Sequence, residues 1–249
     1  MKRDRFLIRE IELQAGMEIT FDADESYHIA EVLRKRPGDR VTVFNNTARE
    51  YIAEITGVRN GIVSARVVSG SDADSEYPFK ITAAVSFPKG KRADYMVQKL
   101  VEIGVDGITP LETVHSVVHV EKGSEKFTHF ERIVLESVKQ SGRVSIPRIN
   151  APLSLRDIVG NSSGYQLKII ATGRGEKRTL KEILRGIAEE QIKTGFKVIF
   201  LTGPEGGFAP EEIEAAVNAG FMPVSLGRTI LRAETAAVAA AAGLVYEWI

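Results

Sequence analysis

The sequence predicts a two-part molecule: a small β-rich barrel over residues 1–70, then a mostly parallel α/β sheet over residues 71–249 with helices on both faces. Three observations lead there. Short apolar-alternating runs crowd the first part, separated by Gly, Asn and Asp turns. After them come near-continuous apolar strands alternating with amphipathic helices, the pattern of strands buried on both faces. Between the two regimes lies Ser69-Gly70-Ser71-Asp72-Ala73-Asp74-Ser75, small and polar, which reads as a linker.

In the first part RFLIREI, MEITF, DRVTVF, REYIAEI and GIVSARVV are the strand candidates. Several short strands at close spacing suggest a small barrel. One helix interrupts them at about residues 25–34, with Ile29, Val32 and Leu33 at helical spacing and Pro37-Gly38-Asp39 as its stop. In the second part FKITAAVSF is a strand, and Lys91 opens a helix whose face is Met96, Val97, Leu100 and Val101. GVDGITPL returns as a strand, and TVHSVVHV reads as another. A helix at about residues 126–140 buries Phe127, Phe130, Ile133, Val134 and Val138. LKIIAT, a helix opened by Thr179, KVIFLTG, a helix from Pro210 and PVSLG follow. The closing helix, AETAAVAAAAGLVYEWI, is apolar nearly all round, which fits either an internal core helix or a subunit interface.

Composition narrows the chemistry. Lys plus Arg and Asp plus Glu are both 33, so the net charge is +0 and no bulk basic coat exists. A local basic patch remains open. With 0 cysteines, thiolate metal sites, iron–sulfur clusters and a cysteine nucleophile are excluded. The start, MKRDRFLIRE, is too charged for a signal peptide, and no apolar stretch approaches the ~18 residues of a membrane span. Cytoplasmic residence, with no membrane partner, is the expectation.

The most specific string is Leu201-Thr202-Gly203-Pro204-Glu205-Gly206-Gly207-Phe208. It follows an apolar strand and precedes a helix whose first turn holds Pro210, Glu211 and Glu212. Glycines there permit unusual dihedrals and expose backbone amides, with Gly206 expected at positive φ. In α/β sheets ligands bind at the carboxyl ends of strands, where this loop would sit. No Gly-Lys-Ser/Thr follows, so it is not a P-loop. A second strand-to-helix string, Leu226-Gly227-Arg228-Thr229-Ile230-Leu231-Arg232-Ala233-Glu234-Thr235-Ala236, could line the same pocket. Gly173-Arg174-Gly175 hints at a dinucleotide loop, but Arg178 stands where the third glycine belongs. His115 and His119 are four apart with no third ligand in view, so no metal is expected. Gln140-Ser141-Gly142-Arg143 ends a helix, and Arg143 suits either a surface charge or a clamp for phosphate or a base. Lys2, Arg3, Arg5 and Arg9, and Arg34, Lys35 and Arg36, form two basic clusters near Phe6 and Tyr27, a plausible RNA-facing surface.

The order GPEGGF then LGRTILRAETAA resembles the RsmE-type ribosomal RNA uridine-N3 methyltransferases of the SPOUT superfamily. The likeness extends to His28-Ile29 with Val32-Leu33-Arg34 and Gly38-Asp39, to Gln98-Lys99 with Glu102, Gly104-Val105 and Thr109-Pro110-Leu111, and to Gln140-Ser141-Gly142-Arg143 with Pro147. The chain departs from the pattern at His115, where arginine is expected, and at Glu31, where a basic residue is usual.

The resemblance implies a PUA-like β-barrel, then a SPOUT domain with a C-terminal trefoil knot. It implies a homodimer through the C-terminal domain, S-adenosylmethionine as donor, and 16S rRNA of the small ribosomal subunit as substrate. The donor would lie among three loops: Ala171, Thr172 and Gly173; Leu201, Thr202, Gly203, Glu205, Gly206 and Gly207; and Leu226, Gly227, Ile230, Leu231, Arg232 and Thr235. Arg3, Arg5, Arg9, His28, Arg34 and Arg143 would face RNA. Uridine N3 must lose a proton before or during attack, and a nearby cation favours the anion. Arg143 and Arg232 are candidates for that cation, and Glu205 or Glu234 for the base. Two other classes stay open: a non-catalytic RNA-binding ribosome-assembly protein, and an α/β enzyme using a nucleotide cofactor.

Overall fold

The computed structural model describes every residue of the chain except 1–3, 10, 11, 74, 75, 174, 175, 177, 193 and 194. It divides into two compact units, Met1–Glu76 with Val138–Ile146, and Tyr77–Ser137 with Pro147–Ile249.

The first unit is a five-stranded sheet in the order β1-β3-β4-β5-β2. Its strands are β1 (Arg5–Leu7), β2 (Glu18–Thr20), β3 (Arg40–Phe44), β4 (Arg49–Arg59) and β5 (Ile62–Asp72). β1 joins β3 in parallel, and the other pairings are antiparallel. Alternation along β4 and β5 sends Tyr51, Ala53, Ile55, Val63, Ala65 and Val67 into one core with Phe6, Ile19, Phe21, Ile29 and Val43. Each fully buried aliphatic or aromatic side chain there contributes about 1.5–3 kcal/mol.

Two details differ from the sequence expectation. The helix at residues 25–34 is an α-helix, α1 (Ala23–Tyr27), that loosens into a π-helical stretch, His28–Val32, and ends at Arg34 with φ 55°. The linker run is not a linker as far as Asp72: it completes β5, with Ser69, Gly70, Ser71 and Asp72 paired to Ile52, Tyr51, Glu50 and Arg49. The small residues serve the Tyr51 ring, which lies so close that a Cβ on Gly70 would sit 2.6 Å from it. Asp74 and Ser75 lie outside the described residues.

The second unit is a seven-stranded sheet ordered β12-β10-β11-β6-β7-β8, with β9 also on β7, and all its pairings are parallel. Its strands are β6 (Phe79–Val85), β7 (Gly107–Glu112), β10 (Leu167–Ala171), β11 (Phe196–Thr202) and the edge strand β12 (Met222–Val224); β8 (Arg148–Ile149) and β9 (Leu153–Ser154) are short. Helices α2 (Lys91–Ile103), α3 (Glu125–Ser141), α4 (Leu155–Gly160), α5 (Leu180–Arg185), α6 (Pro210–Asn218) and α7 (Ala233–Trp248) connect or close them. On one face Ile199 and Leu201 of β11 pack with Leu155 and Ile158 of α4 and Ala216 of α6. On the other, Trp248 of α7 meets Phe79 and Phe196 edge-on. Thr179 caps α5 reciprocally with Glu182, whose carboxylate is held below its ordinary pKa chiefly by hydrogen bonds from the Thr179 backbone and hydroxyl. TVHSVVHV is a loop, not a strand, because the Ser116 hydroxyl takes the Thr113 N–H at 3.0 Å and closes a turn. Among the described residues no helix is long and apolar enough to cross a membrane.

Candidate functional site

Three strand ends meet at one level in the second unit. Ala171 of β10 pairs with Thr202 of β11 on one side and Val224 of β12 on the other. The loops that leave these ends enclose a cavity of about 230 Å³. This is the carboxyl edge of a parallel sheet, where the strand-to-helix loops of such folds hold ligands.

Each loop has a local reason for its shape. Beyond β11, Gly207 sits at φ 71° and donates its N–H to the Pro204 carbonyl at 2.9 Å, a tight turn open to glycine. Positive φ therefore falls on Gly207 and not on Gly206, where the sequence reading placed it. Pro210 starts α6, and Glu212 accepts the Ala209 N–H at 2.9 Å, satisfying a helix-end donor that alanine cannot cap. Beyond β12, the Ser225 hydroxyl donates to the Gly227 carbonyl at 2.9 Å before the chain runs past Thr229, Ile230 and Leu231 into α7.

All the residues named from the sequence for these loops line the cavity except Leu201, Arg232 and Thr235. Leu201 is fully buried in the sheet core instead. Arg232 and Thr235 are exposed at the start of α7. Pro204, Phe208, Thr229, Ala233 and Ala236 also line it; they stand within the two quoted strings but were not named as donor contacts. Ala233 and Ala236 were legible, since residues three apart share a helix face.

The wall of the cavity holds an unusual pair of groups. The hydroxyl oxygens of Thr172 and Thr202 are both buried without a hydrogen-bond partner. Such a group is expensive to leave unmade, about 1–3 kcal/mol each, and both belong to residues that line the cavity. The carboxylates differ. Glu205 is half-exposed and pairs with Arg92 of α2 at 3.0 Å. Glu234, in the first turn of α7, is 7% exposed, and its Oε2 has no partner.

Arg143 is not among these residues. It belongs to the first unit, is 4% exposed, and lies 3.6 Å from the Glu76 carboxylate. Its carbonyl accepts a hydrogen bond from Arg5 at 3.1 Å. Arg5 in turn pairs with Glu50 at 2.7 Å and lies over the Phe44 ring. Both guanidinium groups are largely buried and ion-paired within the first unit. Lys139 and Glu25 form a further ion pair in the same unit. Of the other residues read as RNA-facing, Arg9, His28 and Arg34 are exposed, with His28 edge-on to Phe6. Arg3 lies outside the described residues, as do Arg174 and Gly175 of the weak dinucleotide string. His119 contacts Glu112 at 3.2 Å, and His115 contacts the Gly207 carbonyl. Among the described residues no cluster of three or more His, Cys, Asp or Glu side chains is arranged to hold a metal ion.

Two family models match the chain, and the longer one includes Val138–Ile146, which the contacts group with the first unit. Residues 75–245 match the RNA methyltransferase domain, and residues 21–68 the RNA methyltransferase PUA domain. The chain is 31% identical to the ribosomal RNA small subunit methyltransferase E of Buchnera aphidicola, over 93% of this chain and 92% of that one. It is 25% identical to the protein of the same name from Bacillus subtilis, over 99% and 97%. Among solved structures it resembles a methyltransferase from Legionella pneumophila in complex with bound cofactor SAM (TM-score 0.85, 32% identity, 98% and 97% covered). It also resembles a ribosomal RNA small subunit methyltransferase E from Neisseria gonorrhoeae bound to S-adenosyl methionine (TM-score 0.86, 28% identity, 99% and 98% covered).

Proposed function

The chain belongs to the RNA methyltransferase family that joins this domain to a PUA domain, and from that premise we propose how it acts. It is an S-adenosylmethionine-dependent methyltransferase of small-subunit ribosomal RNA. The observation that carries this reading in the chain itself is the cavity at three level strand ends with the unpartnered Thr172 and Thr202 hydroxyls in its wall. A polar, nucleoside-bearing ligand fits such a wall, because it brings the missing hydrogen-bond partners, while Leu226, Ile230 and Leu231 offer apolar surface to a flat base.

When bound there, S-adenosylmethionine supplies an electrophilic methyl group, so the chain need only bind, orient and manage one proton. Thr172, Thr202 and the backbone of the glycine turn hold the donor. The methyl goes to N3 of a uridine in 16S rRNA. Arg232, exposed and without an ion pair among the described residues, favours the uridine anion, and Glu234 takes the proton. Arg143, the other candidate for that cation, is buried beside Glu76, so the exposed Arg232 is preferred. The first unit holds RNA through exposed Arg9, His28 and Arg34. The polypeptide from β10 onward threads a trefoil knot of the SPOUT kind; support comes from β12 flanking β10 while α7 returns to pack on β6 and β11. The protein works as a cytoplasmic homodimer through α7, where Tyr246 and the following Ile249 stand 80% and 77% exposed.

The test uses an isosteric change. Thr202→Val removes the hydroxyl and keeps the β-branched shape. It should weaken S-adenosylmethionine binding about fivefold to tenfold while stabilising the free protein by about 1 kcal/mol, because an unpaired buried group is gone. Calorimetric titration and urea unfolding read the two effects. Unchanged donor affinity would remove the cavity from the donor site.

A further inference from the structure

The loop after β7 reaches the glycine turn across an intervening strand. In the sheet β6 separates β7 from β11. Residues of this loop nevertheless touch the turn and the helix behind it at two points. The Val114 N–H donates to Glu212 Oε1 at 2.9 Å, and Nδ1 of His115 lies 3.1 Å from the Gly207 carbonyl oxygen. A carbonyl only accepts, so the proton sits on Nδ1 and the imidazole donates. The ring also covers Gly206, where a Cβ would stand 3.1 Å from Cβ of His115 and 3.3 Å from its Cγ. His115 is presented by a turn of its own, closed by Ser116 N–H to the Thr113 carbonyl at 3.0 Å.

We infer that His115 is a positioning residue for the donor cavity: its Nδ1–H fixes the Gly207 carbonyl and thereby the conformation of the turn that lines the site. This rests on reading the cavity as the S-adenosylmethionine site. The physical need is plain. Gly206 and Gly207 both line the cavity, and consecutive glycines leave their peptide groups free to reorient. A turn that samples several conformers binds its ligand in proportion to the competent fraction, so a bond that selects one conformer raises affinity without touching the ligand. Thr113, Ser116 and Glu212 keep the imidazole aimed at that carbonyl. His115 acts on donor binding and not on the chemical step.

The experiment is calorimetric titration of S-adenosylmethionine into the full-length protein and into His115→Asn, His115→Gln and His115→Ala, with single-turnover methyl transfer at saturating donor. The Asn amide nitrogen takes the place of Nδ1, whereas the Gln amide reaches the place of Nε2. His115→Ala and His115→Gln should raise the donor Kd about three- to tenfold, and His115→Asn should stay within about twofold of the parent. Single-turnover rates at saturating donor should be equal across the series. Parent-like donor affinity in His115→Ala would overturn the inference, as would a His115→Asn as weak as His115→Ala, or a loss confined to the saturated rate. A parent protein that takes up no donor would instead refute the reading of the cavity.

Discussion

Two carboxylates stand at the donor loops, and their surroundings divide the work between them. Glu205 is half-exposed and tied to Arg92, while Glu234 is buried with an oxygen left over. A carboxylate that gives no oxygen to an ion pair is the stronger proton acceptor, so we propose Glu234 as the base, although Glu205 lines the cavity and Glu234 does not. Glu234→Gln should lower the single-turnover rate roughly a hundredfold, the lower range for a lost general base, with donor Kd unchanged. A parent-like rate in that variant, with the loss appearing in Glu205→Gln, would move the base to Glu205. At this scale the sequence spoke clearly about the loops and poorly about the arginines. GPEGGF and LGRTILRAETA announce glycine turns by composition. Nothing in Gln-Ser-Gly-Arg says that Arg143 is buried beside Glu76 with its carbonyl taken by Arg5, because burial and ion pairing depend on partners distant in sequence.

At the scale of elements, the helices and parallel strands of the second unit were readable from periodicity, and the start of α2 at Lys91 and of α6 at Pro210 from local signals alone. Besides the π-helical stretch after α1, two segments depart from expectation because tertiary partners and local side-chain bonds override the local pattern. In TVHSVVHV the alternation suggests a strand, but the Ser116 hydroxyl captures a backbone N–H and closes a turn. In Ser69–Asp72 the polar composition suggests a linker, but a long partner strand imposes the ladder, and the Tyr51 ring requires glycine at position 70. The second case is testable. Gly70→Val should destabilise the first unit by about 1–3 kcal/mol, the usual penalty of overpacking, as a lower urea midpoint. Gly70→Val combined with Tyr51→Ala should lose less than the sum, because the clash partner is gone. Full additivity would mean that the ring does not impose the glycine.

For the whole molecule, the change of class between the first and second parts was legible, since periods of two and of three to four residues are distinct in the sequence. The return of Val138–Ile146 to the first unit was not, for it rests on ion pairs and hydrogen bonds such as Ile146 N–H to Asn46 Oδ1 at 2.7 Å. The path of the chain through the donor loops is likewise invisible to periodicity, which records faces and not threading. The division into units gives the molecule its logic: a β unit with exposed Arg9, His28 and Arg34, and an α/β unit with a cavity at its strand ends. The central claim is that the second unit moves a methyl group from S-adenosylmethionine to N3 of a uridine in small-subunit RNA. The most direct measurement incubates the purified protein with methyl-labelled S-adenosylmethionine and small subunits from cells lacking this gene, then identifies the labelled nucleoside by mass spectrometry. The expected result is label in 3-methyluridine at one site, lost in Glu234→Gln; label on another atom, or none in the RNA, would contradict the account.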